Sequence, residues 1–446
     1  MKITNFTAEK VYGAYRFDTV FNNDLNFLIG INGSGKTTAL RLMQAALTLN
    51  LKELYFIEFS QISVSLVHNE RSQTIVFNKV ADGLRIFLGE QPSEIETLPS
   101  FTKDEIEQYV KTGKFDDHVQ DIRFRLLRSA SLVSKFFRNL RRPIFLGLER
   151  RLFRDDEGVF DADDAFAIRN HRLNFSDPRA RRAEQSVDGL DSTKILIQEA
   201  YRRFRVFSDR STESLVNVLV ESAFKYIDFD PDEFAKNRIG FSEYKQVIAR
   251  RKEIEDAASR LGGSSKTSGQ IGKFFSKMQS LYDISSTKSI QQQMSIEWLL
   301  NRSQIQRMHD ILTELDRHKK RAGTLYAPIK KFIDTANHFF KDSRKEISVD
   351  SVGHLICKYQ GQDIPLASLS SGERQLLIII AHVVLRAKDE AGVIIIDEPE
   401  LSLHLRWQEN LVEKLVELND SMQFIFATHS PEIIGEYKNK AIQLYR

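Results

Sequence analysis

The spacing of hydrophobic residues changes along this chain and divides it into parts. Over the first 90 residues, apolar and β-branched runs such as EFSQISVSLV, SQTIVFNKV and LRIFLG predict short strands around one helix. From Lys103 to about Arg142 the spacing is helical, and PIFLGL at 143–148 predicts a buried strand. After Lys345 strand-like runs return. The two ends therefore read as portions of one α/β unit.

The middle of the chain has a different pattern. Residues 155–190 carry turn formers and mixed charge, which predicts a long surface loop. Two helical stretches, at about 191–260 and 270–342, flank RLGGSSKTSGQ, whose Gly and Ser residues suit the tip of a helical hairpin. Their heptads are irregular, so we expect a compact helical arm. We divide the chain into a core lobe at 1–160, a helical insertion at 161–342 and a second core lobe at 343–446.

Composition indicates a folded protein. The 446 residues are 41% hydrophobic and 10% aromatic, which is ample for a large core. We see no membrane span and no signal peptide, so we expect a cytoplasmic protein without a membrane partner. The single cysteine, Cys357, lies in the strand-like HLICKYQ and is expected to pack there. A net charge of +3 is too small to indicate nucleic-acid binding by itself.

The segment LNFLIGINGSGKTTAL at 25–40 has the spacing of a phosphate-binding loop. Small residues let backbone N–H groups surround phosphate oxygens, and the following helix directs its positive dipole end at the same anion. Lys36 would reach the β- and γ-phosphates of ATP, and the Thr37 hydroxyl would bind Mg²⁺. The predicted nucleotide-binding residues are Gly30, Asn32, Gly33, Ser34, Gly35, Lys36, Thr37 and Thr38.

Two acids follow a run of four aliphatic residues at 393–396. This pattern predicts a buried parallel strand that delivers Asp397 and Glu398 to its carboxyl edge. Asp397 would hold Mg²⁺ opposite Thr37, and Glu398 would act as general base toward water.

The segment LSSGERQ at 369–375 predicts the start of a helix. Ser370 and Gly372 would offer a hydroxyl and backbone N–H groups to an anion. The simpler interpretation is a Ser370 N-cap with Glu373 in the first turn. Both interpretations stay open on the residues alone.

Together with two motifs further along the chain, these motifs resemble those of ABC-type ATPases. LSSGERQ is similar to the signature loop, usually LSGGQ, with Ser371 in place of its first glycine and Glu373 in place of its glutamine. DEPELSLH resembles the D-loop at Ser402 to His404, and His429 in FIFATHSP matches the switch histidine. We interpret His354 and His382 as structural.

The resemblance implies an ABC-type P-loop core and a particular assembly. Two chains would enclose two ATP molecules head to tail, in a homodimer that could form higher homo-oligomers. Ser370, Ser371, Gly372 and Glu373 of one chain would complete the nucleotide site of the other. Hydrolysis would then loosen the dimer, as in a switch.

The large separation between phosphate loop and signature is unlike transporter ATPases. With the helical insertion, the chain resembles the Rad50, RecF and SMC branch, including the AAA_21 and overcoming-lysogenization-type ATPases of anti-phage systems. The resemblance is firm over about 1–60 and 345–446 and only architectural between them. For the glutamine of the family's Q-loop two places remain open, Glu149 to Arg151 and Gln61.

The resemblance also implies a partner. The chain leaves no room for a TOPRIM nuclease after Arg446 and shows no HNH-like spacing, so we expect a separately encoded effector, a TOPRIM- or HNH-type nuclease. On this interpretation the chain is most similar to the ATPase subunit of the PARIS system, AriA, followed by that of Septu, PtuA.

Two alternatives remain. The first is a RecF- or Rad50-like repair ATPase, which would bind DNA through the basic segment DIRFRLLRSASLVSKFFRNLRR, interpreted as one helix. The same helix could equally have a charged outer face and pack its Phe and Leu residues inward. Its cationic residues are Arg123, Arg125, Arg128, Lys135, Arg138, Arg141 and Arg142. A passive ATP-binding scaffold is the other alternative, and the presence of Glu398 argues against it.

Overall fold

The computed structural model describes residues 1–68, 70–89, 92–147, 189–224, 241–260, 265–286, 296–386 and 392–444. The chain forms two compact units, one of Met1–Gln198 with Ile329–Arg446 and one of Glu199–Pro328. These boundaries fall inside two long helices, whereas the sequence suggested boundaries at 160 and 342. Most of the predicted surface loop at 155–190, and Glu149 to Arg151, lie outside the described residues.

Five parallel strands form the central sheet of the first unit, in the order β14-β3-β13-β12-β8. They are β3 (Leu25–Ile29), β8 (Ile144–Leu146), β12 (Val393–Asp397), β13 (Gln423–Ala427) and β14 (Ala441–Gln443). Every residue of β12 and β13 is buried, as expected for strands covered on both faces. Strands from both ends of the chain share this sheet, which confirms the predicted α/β unit.

Six antiparallel strands form a second sheet in the order β2-β1-β4-β5-β6-β7. They are β1 (Lys2–Val11), β2 (Tyr15–Val20), β4 (Gln61–His68), β5 (Arg71–Val80), β6 (Gly83–Leu88) and β7 (Ile95–Pro99). The buried Gln423 side chain joins the two sheets, because it accepts from Ile3 N at 2.7 Å and donates to Ile3 O at 2.7 Å. This amide pairing fixes β13 against β1.

A third, small sheet has the order β11-β10-β9. Its strands are β9 (Lys345–Val349), β10 (Leu355–Tyr359) and β11 (Gln362–Ile364). Cys357 is buried in β10, as predicted.

Several helices lie wholly within the first unit. They are α1 (Lys36–Thr48), α2 (Leu51–Phe56), α3 (Lys103–Thr112), α4 (Phe115–Arg128), α5 (Leu132–Asn139), α11 (Ser371–Ala381), α12 (Leu405–Leu418) and α13 (Pro431–Ile434). The prediction of one continuous basic helix is wrong, because the chain leaves α4 at Ser129 and starts α5 anew. Ser131 caps α5 by accepting from Ser134 N at 3.1 Å.

The second unit is helical, as predicted. Its helices are the distal part of α6 (Gly189–Phe224), α7 (Phe241–Ala249), α8 (Arg251–Arg260), α9 (Ser265–Ser286) and most of α10 (Ile296–Phe340). Helix α9 begins at Ser265 rather than near 270, and residues 261–264 of the predicted hairpin tip lie outside the described residues. Val247, Phe275, Met278, Ile305 and Leu312 are among its buried core residues. Among the described residues no helix combines the length and hydropathy needed to cross a bilayer.

Candidate nucleotide-binding site

The predicted phosphate-binding loop joins β3 to α1. Helix α1 begins at Lys36, and its N-cap Gly35 has φ +88°. Gly33 also has a left-handed backbone, at φ +81°. A Cβ on Gly30 would lie 2.5 Å from the buried Ser34 Oγ. Backbone conformation at two glycines and close packing at the third therefore require glycine.

Side chains hold this loop from within and from the neighbouring hairpin. The Lys36 ammonium donates to Gly30 O at 2.9 Å and to Ile31 O at 3.4 Å. The Tyr15 hydroxyl donates to Gly33 O at 2.9 Å. The sequence analysis did not predict this contact of Tyr15 with the loop.

Asp397 is the last residue of β12 and is 3% exposed. Burial raises the pKa of Asp397 to about 6; the Thr37 hydroxyl and the Lys36 ammonium oppose this shift, while Glu398 and Glu400 add to it. Among the described residues, neither carboxylate oxygen has a hydrogen-bond partner of normal geometry. A buried, unpaired carboxylate beside a hydroxyl suits Mg²⁺, which prefers oxygen ligands. The structure thus places the Thr37 hydroxyl beside the Asp397 carboxylate, and their binding of Mg²⁺ stays a prediction.

Glu398 follows Asp397 in an unusual backbone conformation. Its φ of +48° lies in the left-handed region, which a glutamate seldom adopts and which stores strain of about 1–3 kcal/mol. The Glu398 N–H donates to Ala427 O, the last residue of β13, at 2.8 Å. Such strain is typical of functional turns, and this conformation turns the chain immediately after Asp397.

His429 lies beyond the carboxyl end of β13, which runs between β3 and β12. Thr428 is fully buried, whereas the His429 side chain is exposed. Because carboxyl ends of parallel strands meet at one sheet edge, the phosphate loop, His429 and the two acids share that edge.

The predicted signature residues open α11. Ser370 Oγ accepts from Glu373 N at 3.2 Å, and Glu373 Oε2 accepts from Ser370 N at 2.7 Å. This capping box confirms the N-cap interpretation. Lys345 Nζ donates to Glu373 Oε2 at 2.7 Å, so the buried Glu373 carboxylate is engaged within its own chain. A contact of Ser370, Ser371 and Gly372 with a partner stays a prediction.

The predicted D-loop forms the turn between β12 and α12. Ser402 has φ +66°, and His404 Nδ1 accepts from Arg406 N at 3.4 Å and caps α12. Leu403 N donates to Glu400 O at 3.0 Å and closes the turn. The D-loop therefore starts from the same short segment that carries Glu398.

Residues 25–435 match the family described as "AAA domain, putative AbiEii toxin, Type IV TA system". The match runs from β3 to α13 and includes every motif described above. The chain belongs to this AAA_21 family.

Two curated relatives of this AAA_21 chain are named as ATPases. It is 24% identical to the retron Vc95 probable ATPase of Vibrio cholerae serotype O1 biovar El Tor over 253 residues, 52% of this chain and 45% of that protein. It is 30% identical to the retron Ec83 probable ATPase of Escherichia coli over 102 residues, 21% of this chain and 19% of that protein. The chain thus spans less than half the length of these relatives.

A solved structure, the Smc head domain with an extended coiled coil bound to the C-terminal domain of ScpA from Pyrococcus furiosus, aligns with 99% of the AAA_21 chain and 93% of its own length. The sequence identity is 11% and the TM-score is 0.40.

The basic segment of the AAA_21 chain differs from the predicted phosphate-binding face. Arg123 is buried and donates to Thr48 O at 3.1 Å. Arg125 pairs with Asp121, and the Arg128 guanidinium lies 4.0 Å from the centre of the Phe124 ring. Leu126, Phe136 and Leu140 are buried, which supports the inward-packing interpretation, although Lys135, Arg138 and Arg142 are exposed.

The remaining positions singled out in the sequence lie in a turn, at a helix end and in a strand, and the place of the Q-loop glutamine stays open. His354 Nδ1 lies 3.0 Å from Asp350 Oδ2 in the turn between β9 and β10. His382 is fully buried. Gln61 begins β4 in the antiparallel sheet, where it pairs with Glu9 and Asn78.

Sequence reasoning assigned no role to Glu400, although it contacts the His429 loop directly. Its carboxylate Oε1 accepts from His429 N at 2.7 Å. The signal for Glu400 was its place two residues after Glu398 in DEPE, at the same sheet edge. Lys345, the partner of Glu373, had no local signal, because the two residues lie on separate elements.

Proposed function

We propose that this chain binds Mg·ATP and hydrolyses it to ADP and phosphate. The observation that carries the proposal is the edge of the parallel sheet, where three neighbouring strands, β3, β13 and β12, end. Lys36, His429 and Asp397 stand at or just beyond these strand ends. The names of the two retron relatives, probable ATPases, support the same activity.

Each residue at this edge has a separate task. The loop N–H groups and Lys36 would bind the phosphates. Thr37 and Asp397 would hold Mg²⁺, which neutralises charge on the phosphates. Glu398 would accept the proton of the attacking water, and His429 would contact the γ-phosphate.

We further propose that ATP joins two copies of the chain. Ser370 is exposed at the start of α11, where its hydroxyl and the nearby N–H groups can face a second molecule. In the head-to-tail arrangement, Ser370, Ser371 and Gly372 of one chain would contact the γ-phosphate bound by the other. Loss of that phosphate would weaken the dimer and switch its state.

The biological role we propose is a switch in prokaryotic anti-phage defence. The AAA_21 chain would control a separately encoded effector, a nuclease of TOPRIM or HNH type, as in systems resembling PARIS or Septu. Family membership, with a description that names a toxin and a type IV TA system, and the two retron relatives support a role of this kind.

A test compares ATP affinity, turnover and effector co-purification for the wild type and three variants. Lys36→Ala should lose ATP binding, because it removes the charge that faces the phosphates. Glu398→Gln should bind ATP but turn it over about a hundredfold to ten-thousandfold more slowly, since the base is missing. Glu409→Gln, on the exposed face of α12, is the matched control and should match the wild type. Unchanged ATP affinity in Lys36→Ala would refute the loop assignment.

The effector measurement separates a switch from a scaffold. Glu398→Gln should accumulate in the closed state and change how the effector is retained. Turnover and effector retention equal to the wild type would leave the switch without support.

A DNA-binding repair ATPase is the second candidate, supported by the exposed Lys135, Arg138 and Arg142. Duplex binding by the purified chain should then weaken steeply with salt, because phosphate contacts release counterions. Duplex binding that is absent at low salt would exclude this candidate.

A further inference from the structure

Glu400 occupies the turn after β12, two residues beyond Glu398. Its Oε1 accepts three hydrogen bonds, from Thr428 Oγ1 at 2.8 Å, His429 N at 2.7 Å and Ser430 N at 3.2 Å. The donors are three consecutive residues of the loop that follows β13. Hydrogen bonds to an ionised acceptor are about twice as strong as neutral ones, so this carboxylate is a strong anchor for the loop.

The anchor matters because the His429 side chain is exposed. Packing alone cannot fix an exposed imidazole, so its position depends on the backbone that carries it. On the strand side, Thr428 N donates to Leu28 O at 3.2 Å. On the other side, Glu400 holds the loop at three points.

A second side chain, that of Gln408, connects the His429 loop to the D-loop. Gln408 on α12 donates from Nε2 to Leu403 O at 3.0 Å, and its Oε1 accepts from Ser430 Oγ at 2.8 Å. Together with Glu400, Gln408 therefore ties the turn that contains Ser402 to the loop that contains His429.

The charge of Glu400 also influences the nucleotide-binding residues. Burial raises the pKa of Asp397 and lowers that of Lys36, and the negative charge of Glu400 adds to the first shift and opposes the second. Its Oε2 is buried and, among the described residues, has no hydrogen-bond partner. The carboxylate thus contacts the His429 loop and is close enough to the candidate phosphate site to influence its charged groups.

We propose that Glu400 is a positioning residue for ATP hydrolysis. It fixes His429 relative to Glu398 and couples that position to the D-loop, whose Ser402 carbonyl lies against Gly372 of the signature segment. The inference rests on the proposed ATPase function and adds to it a residue that acts through His429 rather than on the substrate.

The first test measures kcat and KM for ATP with Glu400→Ala and Glu400→Gln. A misplacement of about 1 Å can reduce a rate about a hundredfold, so Glu400→Ala should lose kcat on that scale while KM changes little. Gln keeps an acceptor oxygen and should recover most of the rate. Glu436→Gln is the matched control, because Glu436 is an exposed glutamate of the following turn, and this variant should behave as the wild type.

A double-mutant cycle decides whether Glu400 acts through His429. If it does, Glu400→Ala combined with His429→Ala should have the kcat of His429→Ala alone. Independent, multiplicative losses would overturn the proposal, as would unchanged kcat in Glu400→Ala. Thr428→Val, which removes one of the three donors, should lower kcat less than Glu400→Ala and serves if the latter does not fold.

These measurements distinguish failure of the positioning role of Glu400 from failure of the proposed ATPase function. A wild-type protein without ATP turnover, or Lys36→Ala with normal turnover, would contradict the ATPase assignment itself. Normal wild-type behaviour together with loss of rate in Glu398→Gln but none in Glu400→Ala would contradict only the positioning role.

Discussion

Gly372 lies directly against Ser402. A Cβ on Gly372 would lie 2.3 Å from the Ser402 carbonyl oxygen, far inside van der Waals contact. Nearby, Gln375 Nε2 donates to Pro399 O at 3.2 Å. The first turn of α11 therefore packs on the D-loop backbone, and glycine is required there for space.

Gly372→Ala should separate these two elements. Overpacking of this kind typically destabilises a protein by about 1–3 kcal/mol, and it should also slow ATP turnover because the signature helix and the D-loop shift. Urea denaturation and turnover measure the two effects.

The matched control is Gly323→Ala in α10. An added Cβ there meets no atom within 4 Å, and alanine favours helix, so stability should stay equal or rise by up to about 1 kcal/mol. If Gly372→Ala were as stable as the wild type, the contact between α11 and the D-loop would not require glycine.

The sequence predicted the parts of the site that local pattern determines. Gly35, Lys36 and Thr37 follow a strand and open a helix, and Asp397 ends an aliphatic run, so spacing alone located them. The sequence also predicted that the phosphate loop and Asp397 lie close together, because the carboxyl ends of parallel strands lie at one edge of a sheet. The strand order agrees with this prediction, since β3 and β12 are separated only by β13.

Contacts between distant segments were not predictable from one sequence. Glu400 and His429 are 29 positions apart, and Gln423 pairs with Ile3 from the other end of the chain. A local pattern does not specify which loop faces which turn. The break at Ser129 to Ser131 was missed for another reason: helical spacing of apolar residues continues across it, while the serine cap interrupts the helix.

Asp397→Asn should stabilise the protein in the absence of Mg²⁺ and nucleotide. Burial raises the pKa of Asp397 from near 4 to about 6, so the folded state binds the proton more tightly than the unfolded chain. Between these values wild-type stability falls as pH rises, and above pH 6 the buried charge destabilises by roughly 3 kcal/mol. Asp397→Asn has no buried charge at this position and therefore lacks this destabilisation.

Urea denaturation at pH 5 and pH 8 tests the prediction. The advantage of Asp397→Asn should be larger at pH 8, and Mg·ATP should stabilise the wild type more than the variant. Asp420→Asn, on an exposed loop, is the control. An advantage that is the same at both pH values would contradict a buried charge as its source.

Ser370→Arg tests whether the signature acts across the dimer. Ser370 is exposed and caps α11, so arginine should project from the helix start and block a second chain without disturbing the phosphate loop of its own. Nucleotide binding by the single chain should persist, while ATP-driven dimerisation and turnover are lost. Ser370→Ala is the graded comparison: it removes the cap, at about 1 kcal/mol, and the hydroxyl proposed to contact the partner's γ-phosphate, but it adds no bulk, so dimerisation should be lost less completely than in Ser370→Arg.

Mixing Ser370→Arg with Lys36→Ala makes the test decisive. In a head-to-tail dimer, the intact phosphate loop of the first variant meets the intact signature of the second, which leaves one working site in each mixed dimer. Each mixed dimer has one working site of two, so the turnover recovered from two inactive proteins should not exceed half of the wild-type rate. A signature that served its own chain would leave both sites of the mixed dimer defective, and the mixture would stay inactive. Size-exclusion chromatography with ATP confirms that mixed dimers form, and turnover by Ser370→Arg alone at the wild-type rate would exclude the trans arrangement.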